Sequence, residues 1–557
     1  MSARPEIKVV SFVVLISVFT AITAAPPAPA QVATQTTKLV APDKADTDGF
    51  GYSVSVSGDA AVVGAIQDDD NGENSGSAYV FRRDQGGLDN WGFSAKLTAD
   101  DGSDFDAFGW TVAISGDTVV VGARGNDSNG ENSGSAYVFQ RDHGGPDNWG
   151  QVVKITPDDG APKDNFGSSA SLGGDTLLIG ARLDDDNGTN SGAVYVFERH
   201  FGGTDNWGQV TKLTPNDGTG DQRFGGDVEL RGDVAIISAT GDPVHGDDSG
   251  SAYIFYRNQG GPDNWGQVAK LVPSDGAAYD YFGVSVAIDG DTAIVGAYGD
   301  DDDGEGSGSA YVFKRDYGGN NNWGQVTKLT ASDAMEDDDY GIRVSLLGDL
   351  AAIGAHTYRS GVPGSGTVYL LQRDLGGPDN WGEAFKIKPS DDTNIFDWGQ
   401  SLAMDGDTII TSDSNDGVPG TLIRYGAAYI FTIYPCLVDT DCDDGIDCTD
   451  NFCDTVSGCY YVENDANCDD GSACTEDFCD PLDSAADAGG CLHETLTCTY
   501  WNDCPPGSTT CLNGLCHCDP IVEVPTLSQW GLFIMTLLGL CGGTLVFARR
   551  HRHETKS

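Results

Sequence analysis

Apolar and polar positions along the chain follow a period of 58 residues that recurs seven times. In the first copy, residues 50–57 alternate serines with tyrosine and valine, and residues 60–65 form a continuous apolar run. Two further short runs occupy 78–81 and 95–98. Clusters of Gly, Asp and Asn bound these runs, which are too short for helices. The pattern therefore predicts four short strands per repeat and an all-β fold.

An aromatic–glycine pair opens every copy, and a Gly-Asp pair follows eight residues later. Glycine accepts the positive φ of tight hairpin turns, so the second pair predicts a turn between the first two strands. Four strands per unit, repeated radially, form the blades of a propeller. The sequence thus predicts a seven-bladed β-propeller over residues 31–434. The opening aromatic residues are Phe50, Phe108, Phe166, Phe224, Phe282, Tyr340 and Trp398.

The ends of the array indicate a closed ring. Lys38-Leu39 lies 58 residues before Lys96-Leu97, whereas the last copy ends near Phe431 without a fourth strand of its own. We therefore expect the N-terminal segment to supply the missing strand to the seventh blade. Such closure removes the exposed sheet edges that invite aggregation.

The repeat resembles the FG-GAP repeats of the integrin α-chain propeller and, more closely, those of bacterial relatives. The resemblance covers roughly residues 37–434, and the motifs that carry it are Phe50-Gly51, Gly58-Asp59, Val63-Gly64-Ala65 and their equivalents. The proline of the family name is missing, and Ile66, Arg124 and Tyr298 stand in its place. The Asp-rich calcium loop of integrins is replaced by the tight Gly-Asp turn, so its ligands cannot be transferred to this chain.

The N-terminus has the pattern of a secretory signal. Arg4 and Lys8 precede an apolar stretch at 9–25, and Ala28-Pro29-Ala30 follows. This order predicts a signal peptide over residues 1–30 with cleavage after Ala30. A membrane helix is the alternative, but the apolar run is short and is followed by prolines.

The chain has 15 cysteines, and all but Cys541 lie in the segment 435–519. An even number of cysteines in an exported module predicts a disulfide framework, whose pairing cannot be deduced from sequence. A metal site is the alternative, although the segment has only two histidines, His493 and His517. Residues 442–453 recur at 468–479 and resemble the CTDC-type repeat of slime-mould matrix proteins, which implies an extracellular stalk. The candidate disulfide residues are Cys436, Cys442, Cys448, Cys453, Cys459, Cys468, Cys474, Cys479, Cys491, Cys498, Cys504, Cys511, Cys516 and Cys518.

The C-terminus predicts a membrane anchor. An apolar run at 532–548 is just long enough to span a bilayer as a transmembrane helix, and the Arg-rich tail at 549–557 places that end in the cytoplasm. Residues 520–531 and this helix together resemble a bacterial IPTL-CTERM sorting signal, with Val524 in place of the Ile. The resemblance implies an exosortase-type enzyme that removes the tail and transfers the protein to the cell surface; the alternative is a plain single-span anchor. The motif residues are Pro525, Thr526, Leu527, Trp530 and Gly531.

The formal net charge is −54, from 85 acidic and 31 basic residues. Nucleic acid is therefore excluded as an expected partner, because its phosphates need Lys and Arg. The repeat places much of the acid in the loops between the second and third strands and in the loops between blades. Both loop sets are expected on one face of the disc.

The acidic loops are candidate calcium sites, because calcium needs six to eight oxygen ligands. The alternative is that Asp, Asn and Gly serve as turn residues and solvated charge. The aspartates between blades, Asp43, Asp101, Asp159, Asp217, Asp275, Asp333 and Asp391, are expected to cap backbone N–H groups. The candidate calcium ligands are Asp68, Asp70 and Asn71 in the first copy, Asp184, Asp186 and Asn187 in the third, and Asp300 and Asp302 in the fifth.

The repeated Trp at position 91 and its equivalents can either stack on a sugar or cover a blade edge, and we expect the second. The chain has no motif for nucleophilic, metal-dependent or phosphate chemistry, so we expect that it is not an enzyme. The sequence favours an exported surface protein for binding or adhesion, which engages a protein or glycan with one face of the disc. One alternative is a structural matrix protein without a specific ligand. Another is a hydrolase or lyase with a site in the central channel, which would require unlike residues around the axis.

Overall fold

A computed structural model describes residues 32–434, except 86, 88–89, 202, 318, 320–321, 357–365, 376–378, 391–397 and 418–422. Within this range it contains 28 strands, β1–β28, in seven four-stranded antiparallel sheets. The predicted seven-bladed propeller is confirmed. Beyond residue 434 only the backbone of six short strands is described.

The first four blades follow the chain order. Blade 1 contains β2 (Phe50–Ser57), β3 (Ala60–Ala65), β4 (Ser77–Arg82) and β5 (Gly92–Leu97). Blade 2 contains β6 (Phe108–Ser115), β7 (Thr118–Ala123), β8 (Ser135–Arg141) and β9 (Trp149–Ile155). Blade 3 contains β10 (Phe166–Gly173), β11 (Thr176–Ala181), β12 (Ala193–Glu198) and β13 (Gly208–Leu213). Blade 4 contains β14 (Phe224–Arg231), β15 (Val234–Ala239), β16 (Ser251–Tyr256) and β17 (Gly266–Leu271).

Blades 5 and 6 repeat this order, and blade 7 closes the ring. Blade 5 contains β18 (Val286–Asp289), β19 (Thr292–Ala297), β20 (Ser309–Lys314) and β21 (Gly324–Leu329). Blade 6 contains β22 (Arg343–Leu347), β23 (Leu350–Ala355), β24 (Thr367–Gln372) and β25 (Gly382–Ile387). Blade 7 contains β26 (Leu402–Asp405), β27 (Thr408–Asp413), β28 (Ala427–Tyr434) and, as its outermost strand, β1 (Val32–Leu39).

The pairing of the first strand with the last confirms the predicted closure. β1 runs antiparallel to β28, with Val32 opposite Tyr434 and Leu39 opposite Ala428. The sheet order of blade 7 is β1-β28-β27-β26, so the outermost strand comes from the other end of the domain. No propeller sheet therefore has to be completed by another chain.

The core lies between blades, because each second strand is covered on both of its faces. All six residues of β3 are buried, as are those of most of its equivalents. The opening aromatic residue packs edge-on against the third strand. The ring centroids of Phe50 and Tyr79 lie 5.4 Å apart, at an interplanar angle of 66°. Such aromatic pairs contribute about 0.5–1.5 kcal/mol beyond the area that they bury.

The glycines of the repeat motif permit close approach between neighbouring blades. A Cβ on Gly64 of blade 1 would overlap the carbonyl oxygen of Gly109 in blade 2. The same relation holds for Gly122 with Gly167 in the next pair of blades. Each Gly-Asp turn also places its glycine at positive φ, 56° at Gly58, as the tight hairpin requires.

The repeated tryptophans are buried, as expected of residues that cover a blade edge. Trp91 is 4% exposed and its equivalents 6–7%. The guanidinium of Arg83 lies over the Trp91 ring, 5.5 Å from the centroid. These rings have no free face to offer to a sugar.

Beyond the propeller the backbone forms three antiparallel hairpins: β29 (Thr449–Asp454) with β30 (Gly458–Glu463), β31 (Thr475–Cys479) with β32 (Cys491–Thr495), and β33 (Thr510–Leu512) with β34 (Leu515–His517). Their side chains, the predicted signal peptide, the sorting motif and the 532–548 helix lie outside the described residues. In the part of the chain that is described, no helix is both long and apolar enough to cross a membrane.

We expect that deleting residues 31–42 lowers the melting temperature by at least about 5 °C, because Leu39 leaves the core and β28 becomes a free edge. Differential scanning calorimetry measures the shift. A synthetic peptide of residues 31–42, added in excess, should restore part of the loss. An unchanged melting temperature would contradict closure by β1.

Candidate functional site

The loops between second and third strands meet the loops between blades on one face, which we call the loop face. The backbone N–H of Phe105, between blades 1 and 2, donates to the carbonyl of Glu73 at 2.7 Å, and that of Ala107 donates to Asn74 at 3.2 Å. The N–H of Glu73 in turn donates to the Asp104 carboxylate at 2.9 Å. The predicted placement of both acidic loop sets on one face is confirmed.

A lysine lies at the centre of the acidic cluster of blade 1. The Lys96 ammonium, in the outermost strand, donates to carboxylates of Asp43 at 2.8 Å, Asp68 at 2.9 Å and Asp70 at 2.5 Å. The Tyr79 hydroxyl is 2.8 Å from Asp68 and 2.9 Å from Asp43. The Asp68 side chain is only 6% exposed, whereas those of Asp43 and Asp70 are 42% and 62% exposed. Asp68 therefore depends on Lys96 and Tyr79 for compensation.

Blades 3 and 5 have the same arrangement. Lys212 binds Asp159, Asp184 and Asp186 at 3.0, 2.8 and 2.6 Å. Lys328 binds Asp275, Asp300 and Asp302 at 3.2, 2.8 and 2.6 Å. The structure thus brings together the aspartates that the sequence singled out as metal ligands, with an aspartate from the preceding inter-blade loop and one lysine.

The other blades keep the lysine and simplify the cluster. Lys154 binds Asp101 at 2.6 Å and the amide oxygen of Asn126 at 3.1 Å. Lys270 binds Asp217 and Asp242 at 2.6 and 2.7 Å. Lys386 binds Asp333 at 2.7 Å, and Lys38 binds Asp416 at 2.8 Å. The ion pair is therefore a feature of every blade, and among the described residues three aspartates surround one lysine in blades 1, 3 and 5.

The electrostatics follow from this pairing. Burial acts to lower the pKa of Lys96, but its bonds to Asp43, Asp70 and Asp68 outweigh burial and hold the pKa above its usual value. Burial acts to raise the pKa of Asp43, but Lys96 and Tyr79 hold it below its usual value. Burial and the Asp68 charge raise the pKa of Tyr79, so its hydroxyl stays protonated and donates.

Calcium binding at these loops stays a prediction. Oxygens of Asp43, Asp68 and Asp70 lie within 4.8 Å of one another, close enough to hold one ion. The Lys96 ammonium already lies among them, so calcium would have to displace it or share its carboxylates. The predicted ligand Asn71 lies against Gly102 of the following loop, since a Cβ added to Gly102 would come within 3.3 Å of the Asn71 Cβ. The predicted ligand Asn187 is exposed.

A second aspartate of the loop face caps backbone N–H groups, a role that the sequence assigned to Asp43 and its equivalents. Asp164 accepts from the N–H of Ala161 at 2.7 Å, and Asp280 from that of Ala277 at 2.7 Å. Gln222 makes the same bond to Thr219 at 3.0 Å. Asp43 and its described equivalents bind the lysine and the tyrosine, and most of them also accept a hydrogen bond from their own backbone N–H. Asp391 lies outside the described residues. The capping residues are Asp48, Asp106, Asp164, Gln222, Asp280 and Asp338.

A channel of about 910 Å³ runs along the axis and is lined by the first strand of every blade. Side chains in it link neighbouring blades: Ser55 accepts from the N–H of Ile114 at 3.3 Å, and Ser171 from that of Leu230 at 3.0 Å. In blade 4 carboxylates replace the serines. The Asp227 carboxylate accepts a hydrogen bond from the backbone N–H of Val286 at 2.9 Å, and the Glu229 carboxylate accepts one from that of Ile288 at 2.7 Å.

The mouth of this channel on the loop face departs from sevenfold symmetry. The residue that follows the second strand differs between most blades: Ile66, Arg124, Arg182, Thr240, Tyr298, His356 and Ser414. The Arg124 guanidinium lies on the Trp110 ring, 3.1 Å from its centroid. The rings of Tyr281 and Tyr298 stack with centroids 5.0 Å apart and planes inclined by 8°. The sequence did not indicate this site, because its residues come from different repeats and several positions.

Comparison with known proteins identifies the repeat. The sequence model of the FG-GAP repeat matches six segments, 33–81, 91–139, 149–197, 207–255, 265–313 and 323–371, which together make up just over half of the chain. The chain belongs to the FG-GAP repeat family. Each FG-GAP segment begins in or beside the outermost strand of one blade and ends in the third strand of the next.

No curated protein matches the FG-GAP chain. Among solved structures, it is similar to the WD40 β-propeller domain of Doa1, at 11% sequence identity and a TM-score of 0.42, over 72% of this chain and 97% of that one.

We expect that Lys96→Met lowers the free energy of unfolding by about 1–3 kcal/mol, because it leaves the buried Asp68 carboxylate without its cation. Chemical denaturation measures the change. Lys163→Met is the matched control, since the Lys163 and Glu131 side chains are 71% and 72% exposed and such pairs contribute little. Equal effects of the two substitutions would contradict a structural role for the cluster.

Burial raises the pKa of Asp48, Asp164 and Asp280 from 3.8 to about 6. The folded chain therefore retains protons that the unfolded chain releases, and stability falls as the pH rises from about 3.8 to about 6. Because Gln222 makes the same bond without charge, the triple Asp→Asn variant should be more stable than wild type at pH 8, by at least about 1 kcal/mol.

This gain should largely disappear at pH 4, where the wild-type carboxyls hold their protons. Thermal melts of both proteins at the two pH values measure it, with Asp100→Asn at an exposed loop position as the control. A gain of equal size at both pH values would contradict the titration.

Proposed function

We propose that this FG-GAP protein is an exported cell-surface binding or adhesion protein, and that the loop face engages a protein or glycan. The observation that carries the proposal is the contrast between the blade core and the channel mouth. The opening aromatic residue, the buried tyrosine and the lysine of the ion pair recur from blade to blade, as stacking requires. The position after the second strand carries Ile, Arg, Thr, Tyr, His or Ser.

This contrast supports a binding role, because packing does not require the variation. A structural ring is satisfied by seven similar units, whereas one bound ligand on the axis requires unlike contacts from different blades. The mouth combines aromatic rings with guanidinium groups, the side chains most enriched at energetically important positions of binding interfaces.

Export and surface attachment belong to the same proposal. They rest on the signal-like segment 1–30, the cysteine-rich segment 435–519 and the sorting-like C-terminus, with an exosortase-type enzyme as the processing partner. Calcium enters the proposal as a competitor of Lys96, Lys212 and Lys328 for their carboxylates.

We also propose that the propeller is not catalytic. The unlike residues that a channel hydrolase or lyase requires are present in blade 4, and burial raises the pKa of Glu229 to about 7 against the opposing effect of Arg231. Yet Glu229 accepts from the Ile288 N–H and from Arg231 at 3.0 Å. It thus forms the inter-blade bond that Ser55 forms in blade 1, which favours a structural role.

We expect saturable binding of the fluorescently labelled full chain to cell surfaces or to an array of glycans and surface proteins. Tyr298→Ala should weaken this binding by at least about fivefold, because the ring lies at the mouth. Tyr317→Ala is the matched control, since Tyr317 is 51% exposed and follows the third strand, on the face opposite the loops. Excess calcium and a chelator form separate arms of the experiment.

Three outcomes separate the candidate functions. Weaker binding by the Tyr298→Ala variant, with unchanged binding by the Tyr317→Ala variant, supports binding through the loop face. An equal loss of binding in both variants would contradict the assignment of the binding site to the loop face. Binding that does not saturate on any surface would favour the matrix protein without a specific ligand.

A further inference from the structure

Two guanidinium groups at the channel mouth have neither a hydrogen-bond partner nor an ion-pair partner among the described residues, in a protein with 85 acidic residues. Within the described part of the chain, Arg124 and Arg182 form no hydrogen bond or ion pair, and the Nε of Arg182 is fully buried without an acceptor. By contrast, Arg141 and Arg199 on the opposite face bind Asp147 and Asp205 at 2.7 and 3.0 Å. On the loop face, the carboxylates of the acidic clusters are bound by the lysines.

Several positive charges converge at this mouth. Arg182 lines the axial channel together with Arg223 and Arg343, and Arg124 lines an adjoining pocket of about 270 Å³. Leu183 contributes to both cavities, so the two are neighbours. Arg343 donates to the carbonyl of Ile342 at 2.8 Å, and Arg223 pairs with Asp248 at 3.2 Å. Arg124 and Arg182 are thus the cations left for a ligand.

The protein environment disfavours both charges as they stand. Burial, together with the charge of Arg182, lowers the pKa of Arg124 to about 10. Burial also lowers the pKa of Arg182, with a contribution from Arg223. Burying a charge that no anion compensates is costly. The Trp110 ring face offsets part of this cost for Arg124, and an anion bound between the two guanidinium groups would offset the rest. The planar guanidinium fork matches a carboxylate through two parallel hydrogen bonds.

The surroundings favour a ligand that carries a single negative charge. The loop face around the mouth carries the aspartates of every blade, and the net charge is −54, so a polyanion is repelled. The stacked pair Tyr281 and Tyr298, both partly exposed, lines the same channel. Their flat rings and hydroxyl groups suit the apolar face and polar rim of a sugar ring.

We propose that the channel mouth binds the carboxylate of an acidic sugar, either free or as the terminal residue of a glycan, between Arg124 and Arg182, with the ring against Tyr281 and Tyr298. This inference deepens the proposed function by naming the ligand class, and it rests on that function.

Isothermal titration calorimetry of the full chain tests the site, with glucuronate and methyl glucuronide as probes. We expect saturable binding at one site per chain, and at least about tenfold weaker binding of glucose, which lacks the charge. In the methyl glucuronide the anomeric oxygen is substituted, as it is in a glycan. Equal affinity for the two probes therefore indicates the terminal residue of a glycan, whereas binding of glucuronate alone indicates a free sugar acid. N-acetylglutamate and sulfate are the competing anions.

Arg182→Ala and Arg124→Ala should each weaken glucuronate binding at least about tenfold. Arg182→Lys keeps the positive charge but lacks the planar guanidinium that makes two parallel hydrogen bonds. This variant should bind glucuronate with intermediate affinity. Arg141→Gln, on the opposite face, is the matched control and should bind as wild type does. Circular dichroism and melting curves confirm that each variant is folded. Should an alanine variant unfold, Arg182→Lys alone still decides whether the fork is used.

Absence of glucuronate binding, or equal binding by the folded Arg182 variants, would overturn the proposal. Binding of N-acetylglutamate or sulfate as tight as that of glucuronate would also overturn it, because an acidic peptide or an inorganic anion would then be the ligand class. The surface-binding assay with Arg182→Ala separates this failure from a failure of the proposed function. Unchanged saturable surface binding would reject the sugar-acid site and leave the binding role intact.

Discussion

The close backbone approach between neighbouring blades is the constraint on which the rest of the structure depends. At the seam between blades 1 and 2, the Gly64 Cα faces the carbonyl of Gly109, and no side chain larger than hydrogen fits between them. The same carbonyl accepts a hydrogen bond from Ser53 at 2.8 Å. Two seams use serine in place of the first glycine, at Ser238 and Ser412, and Ser412 donates to the Gly51 carbonyl at 2.6 Å. The blade spacing fixed here determines where every other repeated side chain lies.

The lysine network follows from that spacing. A lysine in the outermost strand reaches two acidic loops on the loop face, the inter-blade loop that precedes its blade and the loop between the second and third strands. Each blade therefore neutralises part of the charge that its loops bring. Pairing of this kind reduces the local repulsion between loop carboxylates in a chain with a net charge of −54, and such repulsion otherwise opposes compactness. Among the described residues, the guanidinium groups of Arg124 and Arg182 at the channel mouth take no part in this network.

The sequence predicted the repeated parts of the structure better than the unrepeated ones. The bounds of β2 and β3 agree with the prediction, because alternation and a continuous apolar run are unambiguous signals. The fourth strand begins at Gly92, three residues earlier than expected, because residues that pair with Arg82 need not be apolar.

The role of Lys96 was missed for a similar reason, since a lone lysine in an outer strand suggests a solvated side chain. The available signal was its recurrence at the same 58-residue period as Asp68. The channel mouth could not be predicted, because Arg182 of blade 3 and Tyr298 of blade 5 come from non-adjacent blades and share only the axial channel.

The strand that closes the ring has a consequence for the order of events during synthesis. The hydroxyl of Thr36 in β1 donates to the carbonyl of Ile430 in β28, 394 residues later. A chain that is made from its N-terminus therefore delivers one strand of this pair first and the other last. Bringing such distant segments together is slow, because the chain loses loop entropy before any contact forms. Until the two strands pair, β28 remains an open edge, so the newly made chain is most vulnerable to aggregation and proteases just before the ring closes.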